Sequence, residues 1–362
     1  RLRRDWSSGV CSSDLQLIGQ LFQSALDRRG QRVTIVGATS GDTGSAAIQA
    51  FGGLDAVDMF ILYPDGRVSE VQRRQMTTPS HANVHALAMD GDFDDCQARL
   101  KDMFNDFEFR DRVGLAAVNS INWARVLAQV VYYFTAAVSL GAPHRAVSFT
   151  VPTGNFGDIY AGSIARRMGL PIEKLVIATN QNDILHRTFG TGSYVAKGVK
   201  SSISPSMDIQ VSSNFERALF DAYGRDGVAV AQQMNGLQSG GRFDISAGAI
   251  EYLRQHYTSG TASEDETRAI MRAVYEREGE LLCPHSAVGV KVALDQASGA
   301  VPMVCLATAH PAKFPQAVEV ATGQRLALPP HLADLFERPE RITKVKNDLA
   351  AIKALIQERI EQ

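Results

Sequence analysis

The sequence has 362 residues, 45% of them hydrophobic and 21% charged, with 37 Lys and Arg against 39 Asp and Glu. That length divides into roughly two domains and leaves ample apolar material for large cores. A formal net charge of −2 lacks the basic footprint of a nucleic-acid binder, and the longest apolar stretch, residues 126–138, is interrupted by Gln129 and is too short to span a bilayer.

In chain order, residues 1–15 (RLRRDWSSGVCSSDL) come first, with three Arg, four Ser and no apolar periodicity. They lack the central apolar stretch of a signal peptide, and Asp5 and Asp14 disfavour a transit peptide. The first residue is Arg1 rather than Met, so a non-native junction ahead of an N-terminally truncated protein is expected. From Gln16 onward Leu17, Ile18, Leu21, Phe22 and Leu26 recur at helical spacing, and Gly30 ends the run.

Strands are then predicted at 32–37, 57–62 and 84–88, each followed by a helix, at 43–51, 69–76 and 93–104, with a turn at 63–66. Three such units in succession predict a parallel sheet covered by helices, an α/β fold. A long helix over 122–140 leads to a strand at 146–151 and a further helix after Asp158. Buried strands are predicted at 175–179 and 303–307. Between 190 and 260 the pattern loosens into Gly and Ser with two helical segments. The stretch 342–360 reads as one amphipathic, charged helix, expected to serve as a docking or oligomer surface. Cys11, Cys96, Cys283 and Cys305 have no zinc or redox spacing, which points to reduced thiols in a cytosolic or organelle-matrix protein. Cys283-Pro284-His285 is either a metal-ligand pair without partners or a structural turn; the turn is the favoured reading, and no metal is expected.

Ligands of open α/β sheets collect at the carboxyl ends of strands, and three turns there carry polar chemistry. Thr39-Ser40-Gly41-Asp42-Thr43-Gly44 offers hydroxyls and helix-start amides suited to a carboxylate or phosphate, or is an ordinary cap made by Ser40 or Asp42. Pro152-Thr153-Gly154-Asn155-Phe156-Gly157-Asp158 is a phosphate cradle without the lysine of a P-loop, or a tight strand–helix turn. Thr308-Ala309-His310-Pro311-Ala312-Lys313-Phe314 places a hydroxyl, an imidazole and an ammonium together for a cofactor ring nitrogen and an anionic substrate. Taken singly, His310 reads as a structural hydrogen-bonder and Lys313 as a solvated charge.

The motifs SGDTG, ILYPDG, DGDFDDCQ, NSINWAR, PTGNFGD and TAHPAKF occur in order from Ser40 to Phe314, and the tail PPHLADLFERPER follows. Together they resemble the threonine synthase family, in its fungal and proteobacterial branch, from about Gln16 to the end. The resemblance implies a pyridoxal 5′-phosphate (PLP) enzyme of fold type II, similar to tryptophan synthase β, with two α/β domains and parallel-rich sheets. It implies a smaller domain over 16–115, a larger phosphate-binding domain over 116–330 and a helical tail over 331–362.

By the same resemblance Gly154, Asn155, Phe156 and Gly157 hold the cofactor phosphate, Thr308 faces the ring nitrogen, and Asp42 lies at the ring hydroxyl, where many relatives have Asn. Ser40, Gly41 and Thr43 line the substrate carboxylate. Lys313 meets the substrate phosphate, with Asn119, Ser120, Asn122 and Arg125 as weaker neighbours; Asn122 and Arg125 read equally as a helix cap and its surface charge. The implied reaction converts O-phospho-L-homoserine and water to L-threonine and phosphate in the cytoplasm, by a monomer or homodimer. The family's Schiff-base lysine lies in an Ala-Phe-Lys-Asp segment, whereas residues 1–100 contain no lysine. The chain as given is therefore expected to lack the catalytic base. The competing expectations are another lyase of this fold type, a serine/threonine dehydratase or cysteine synthase, and a non-catalytic paralogue that binds PLP or phosphate.

Overall fold

The computed structural model describes residues 10–39 and 41–361, without the side chains at 10–13, 42, 94 and 331. The expected junction segment therefore lies largely outside the described residues. The chain forms two compact units, one of residues 1–122 and 327–362, the other of residues 123–326.

The first unit opens with α1 (Val10–Arg29), followed by β1 (Val33–Ala38), α2 (Asp42–Phe51), β2 (Val57–Pro64), α3 (Glu70–Thr77), β3 (Val84–Met89), α4 (Phe93–Asn105), α5 (Phe107–Val113) and β4 (Leu115–Ala116). Ser69 caps α3 by accepting the Gln72 amide, and Asp92 and Asp95 form a reciprocal capping box on α4.

In the second unit α6 (Trp123–Ser139) leads to β5 (Val147–Pro152), α7 (Gly157–Arg167), β6 (Ile172–Thr179), α8 (Ile184–Thr191) and β7 (Ser193–Val195). Then come α9 (Phe215–Ala222), α10 (Gly227–Gly240), β8 (Arg242–Asp244), α11 (Ala247–His256) and β9 (Thr258–Thr261). The unit ends with α12 (Glu264–Glu278), α13 (Pro284–Gln296), β10 (Met303–Cys305) and α14 (Pro315–Thr322). The chain then returns to the first unit as β11 (Thr343–Val345) and α15 (Leu349–Ile360).

The first unit's sheet is parallel, in the order β11-β3-β2-β1-β4; the second unit's is parallel in the order β10-β5-β6-β9, with β7 and β8 as a separate antiparallel pair. Burial of nearly all of β2 explains its apolar run from Met59 to Leu62, whereas β5 is buried throughout although Ser148 and Thr150 alternate with its apolar residues.

The last segment differs from its sequence reading. Its start is a strand paired with β3, and Ile352 and Ile356 of α15 are buried against the first unit's core, so that apolar face is occupied within the chain. Two helical segments were expected over 190–260, where α9, α10 and α11 stand. The short strands β7, β8 and β9 there were not expected, because Thr-Ser-Gly-Thr and its like carry no apolar alternation.

Candidate functional site

Strand order reverses once beside β1, which has β2 on one side and β4 on the other, and once beside β5, flanked by β6 and β10. Crevices outside the carboxyl ends of strands at such reversals are where α/β sheets take ligands. The three polar turns leave from β1, β5 and β10, so topology singles out the places that the motifs do.

In the first unit, the buried hydroxyl of Thr39 accepts the amides of Gly41 and Gly44, each at 2.9 Å. Thr39 thus takes up two amides at the start of α2; the cap weighed for Ser40 or Asp42 falls on atoms that are not described. Ser40 and the Asp42 side chain lie outside the described residues. Gly41 has φ 134°, and a Cβ there would fall 2.5 Å from Cδ of the buried Gln72. Backbone conformation and space both demand glycine. The Gln72 Oε1 in turn accepts from Ser69 Oγ at 2.9 Å. Thr43 is half-buried in the first turn of α2. Asn119 is exposed and its carbonyl accepts the Asn122 amide at 3.2 Å, while Ser120 and Asn122 are half-buried.

In the second unit, the turn after β5 is built the other way. Its carbonyls are tied down: Gly154 O accepts from Ser212 Oγ at 2.7 Å, Asn155 O from the Asn214 amide at 2.9 Å, and Phe156 O from the Tyr160 amide at 3.1 Å. Its amides at Gly154, Asn155 and Phe156 have no protein acceptor among the described residues. The Gly157 amide donates to Asn155 Oδ1 at 2.9 Å.

Phe156 adopts φ 67°, a left-handed conformation that costs a non-glycine residue about 1–2 kcal/mol. The ring offsets that cost: it is buried edge-on against Phe215 and Tyr257, with centroids 5.2 and 5.3 Å away. Burial of such a side chain contributes roughly 1.5–3 kcal/mol. A Cβ at Gly154 would meet Ser206 O at 2.9 Å, so the loop over 204–214 fits against bare backbone.

Thr308 is half-buried beyond β10; its amide donates to Ser286 Oγ at 3.2 Å. His310 Nδ1 accepts the Ala312 amide at 3.2 Å, the structural role that a lone histidine favours. Lys313 is only 5% exposed and Arg125, in the first turn of α6, only 3%. Neither is the solvated surface charge that each residue alone would suggest, since burying an ion needs compensating partners.

Sequence reading assigned no site role to the start of α13. Cys283 caps the helix, its Sγ accepting the Ser286 amide at 3.4 Å, and His285 Nε2 accepts the Ser206 amide at 3.2 Å. This is the structural alternative for Cys283-Pro284-His285; the signal available was a capping residue followed by proline at the first helical position. Burial pushes the Cys283 thiol up, but the adjoining His285 imidazole and the Ser286 hydrogen bonds outweigh it and bring the thiol down to about 7.

Residues 16–234 match the family described as "Pyridoxal-phosphate dependent enzyme", and residues 286–356 match "Threonine synthase, C-terminal". Threonine synthase of Pseudomonas aeruginosa is 54% identical over 344 residues, covering 94% of this chain and 73% of the relative. The chain belongs to the threonine synthase family. The PLP-bound threonine synthase of Brucella melitensis superposes with a TM-score of 0.95 at 56% identity, covering 98% of this chain and 76% of that one. The yeast threonine synthase structure gives 0.90 at 39%, covering 98% and 77%. The chain thus spans about three quarters of the length of these threonine synthases. Its α/β fold is the type II fold of PLP enzymes, as the motifs implied. The family's cofactor fits the residues present: three outward amides at the positive end of α7 could take a phosphate, and a neutral threonine hydroxyl stands beyond the adjacent strand.

Proposed function

We propose that this chain carries the binding framework of a cytoplasmic threonine synthase, monomer or homodimer, that converts O-phospho-L-homoserine and water to L-threonine and phosphate. The observation that carries this reading is the set of outward amides at Gly154, Asn155 and Phe156 over a strained, aromatic-anchored turn. No helix among the described residues is long and apolar enough to cross a membrane.

Those three amides bind the cofactor phosphate; the Gly157 amide, expected to join them, is instead taken by Asn155 Oδ1 and holds the turn's shape. Thr308 Oγ1 faces the ring nitrogen, and a hydroxyl there does not hold that nitrogen protonated as an aspartate would. When bound, PLP supplies an electron sink for carbanion character beside the amino-acid Cα. Asp42 orients the ring hydroxyl; Ser40, Gly41 and Thr43 take the substrate carboxylate. The Lys313 ammonium binds the substrate phosphate, with Asn119 as a further contact, and stabilises its charge as it departs. A general base must still move protons at Cα and Cβ. Residues 1–100 contain no lysine, and Lys101 is exposed on α4. We infer that the chain as given binds the cofactor without a covalent link and does not turn over.

Two assays test this. Borohydride treatment of the chain with PLP should leave no covalent label, and phosphate release from O-phospho-L-homoserine should be absent. Joining the chain to the preceding segment of the P. aeruginosa relative should restore both. Label or turnover in the chain alone overturns the inferred inactivity. A joined protein that deaminates L-serine or L-threonine but releases no phosphate overturns the substrate assignment in favour of a dehydratase. The match of 286–356 to the threonine synthase C-terminal family supports the phosphorylated substrate.

A further inference from the structure

The first residues of α13 tie together two turns that the proposed function gives to the cofactor. On one side His285, 3% exposed, accepts the Ser206 amide at 3.2 Å, and Ser206 is the residue packed against Gly154. On the other side Ser286 Oγ accepts the Thr308 amide at 3.2 Å, and Cys283 Sγ lies 3.8 Å from Thr308 Oγ1. Because α13 packs on β5, β6 and β10, these contacts are held by the sheet that carries both turns.

The hydrogens around Cys283 can be assigned by counting donors. Ser286 Oγ already accepts the Thr308 amide, and Cys283 Sγ, 3.1 Å away, is positioned to take the serine's own hydrogen. The Ser286 amide donates to the same sulfur at 3.4 Å. With these donors on Sγ and the His285 imidazole adjoining it, its Nε2 already taken by the Ser206 amide, the hydrogen of the thiol form has Thr308 Oγ1 left as its acceptor. The hydroxyl hydrogen of Thr308 then has to turn away from Cys283.

We propose that Cys283 is a positioning residue for Thr308: its thiol donates to Oγ1 and so aims the threonine hydroxyl hydrogen at the ring nitrogen of the bound pyridine cofactor. This rests on Thr308 being the ring-nitrogen partner. Ser286 sets the backbone of Thr308, and Cys283 sets the direction of its hydroxyl.

Pyridoxamine 5′-phosphate, which needs no lysine, is the probe. Binding to this chain is measured by absorbance titration about one unit below the pH at which Cys283 titrates, where the thiol form dominates. Cys283→Ala should weaken pyridoxamine phosphate by about threefold to tenfold and shift its bound absorbance band, with inorganic phosphate affinity unchanged. Cys283→Ser, which keeps a donor, should restore both affinity and band. Thr308→Val tests the underlying assignment. If it leaves affinity and band at their native values, Thr308 is not the ring-nitrogen partner. If Thr308→Val changes both while Cys283→Ala changes neither, the assignment stands and the positioning role of Cys283 falls. A Cys283→Ala protein that loses inorganic phosphate equally, with no rescue by serine, also overturns the proposal, because the cysteine is then only a packing residue.

Discussion

After β1 the chain runs from Thr39 to Gly44, and after β5 it runs from Thr153 to Gly157. Each is a threonine-led, glycine-bearing turn that opens a helix at a reversal of strand order. Thr39 turns its hydroxyl forward and takes up the amides of Gly41 and Gly44. Thr153 turns its hydroxyl back to donate to Val151 O at 2.6 Å, and the amides at 154–156 stay open. Glycine content does not separate a turn with open amides from one whose amides are taken up; the direction of one hydroxyl does. The open turn is also the strained one, with Phe156 in the left-handed region. Such strain is held by surroundings that over-determine it, here an aromatic cluster and the 204–214 loop.

The largest expected effect comes from removing what holds the strained turn. Phe156→Ala should cost roughly 3–5 kcal/mol in urea unfolding of the second unit, because the ring's packing is lost while alanine keeps the Cβ and with it the left-handed strain. An unchanged unfolding midpoint would show that the aromatic cluster does not hold the turn. Gly154→Ala should cost about 1–3 kcal/mol by driving the 204–214 loop away, and should weaken inorganic phosphate and pyridoxamine phosphate together. If affinity for both survives, the open amides are not the anion site.

Thr39→Ala should destabilise the first unit by about 1–2 kcal/mol while leaving phosphate affinity in place, with Thr39→Ser restoring stability. A loss of phosphate binding instead would erase the contrast between the turns.

The smallest effect concerns α12, which fills its first turn with a charged side chain. Hydrogen bonds from the Ser263 amide and hydroxyl, and then from Lys291, hold the Glu266 carboxyl down at about 2. Its stabilising effect is therefore present above the ordinary carboxylate value of 4.5 and is lost as pH falls from there towards 2. Glu266→Gln should flatten that part of the acid-unfolding profile of the second unit. An identical profile would mean that this cap contributes nothing through its charge.

Much of the frame was legible because a buried parallel strand such as β2 is a near-continuous apolar run, because β5 alternates β-branched and aromatic residues with small hydroxyl ones, and because Gly30 and Ser69 mark helix limits in plain residue types. β9 was not legible: a strand of Thr, Ser and Gly becomes a strand through pairing with β6. Charged residues misled when taken one at a time. Nothing local in the sequence tells a buried Lys313 or Arg125 from a solvated one, since burial is decided by elements far away in the chain. The hydrogen bonds of Thr39 and Cys283 were hidden for a similar reason: hydroxyl and thiol direction is set by packed geometry rather than by spacing. The positions of the three turns were the most readable part of the site, because strand ends and small residues mark them.

The return of the chain to the first unit has a consequence for synthesis. The strand β3 gains its outer neighbour β11 only when residues 343–345 have been made, after every residue of the second unit. While the ribosome is still working through 123–326, the first unit carries an open strand edge, which invites pairing with other chains. The second unit is contiguous in sequence, and its own late strand, β10 beside β5, is complete before residue 326. Release of a product ending near residue 326 should therefore yield a protein that aggregates through its first unit while its second unit keeps its fold.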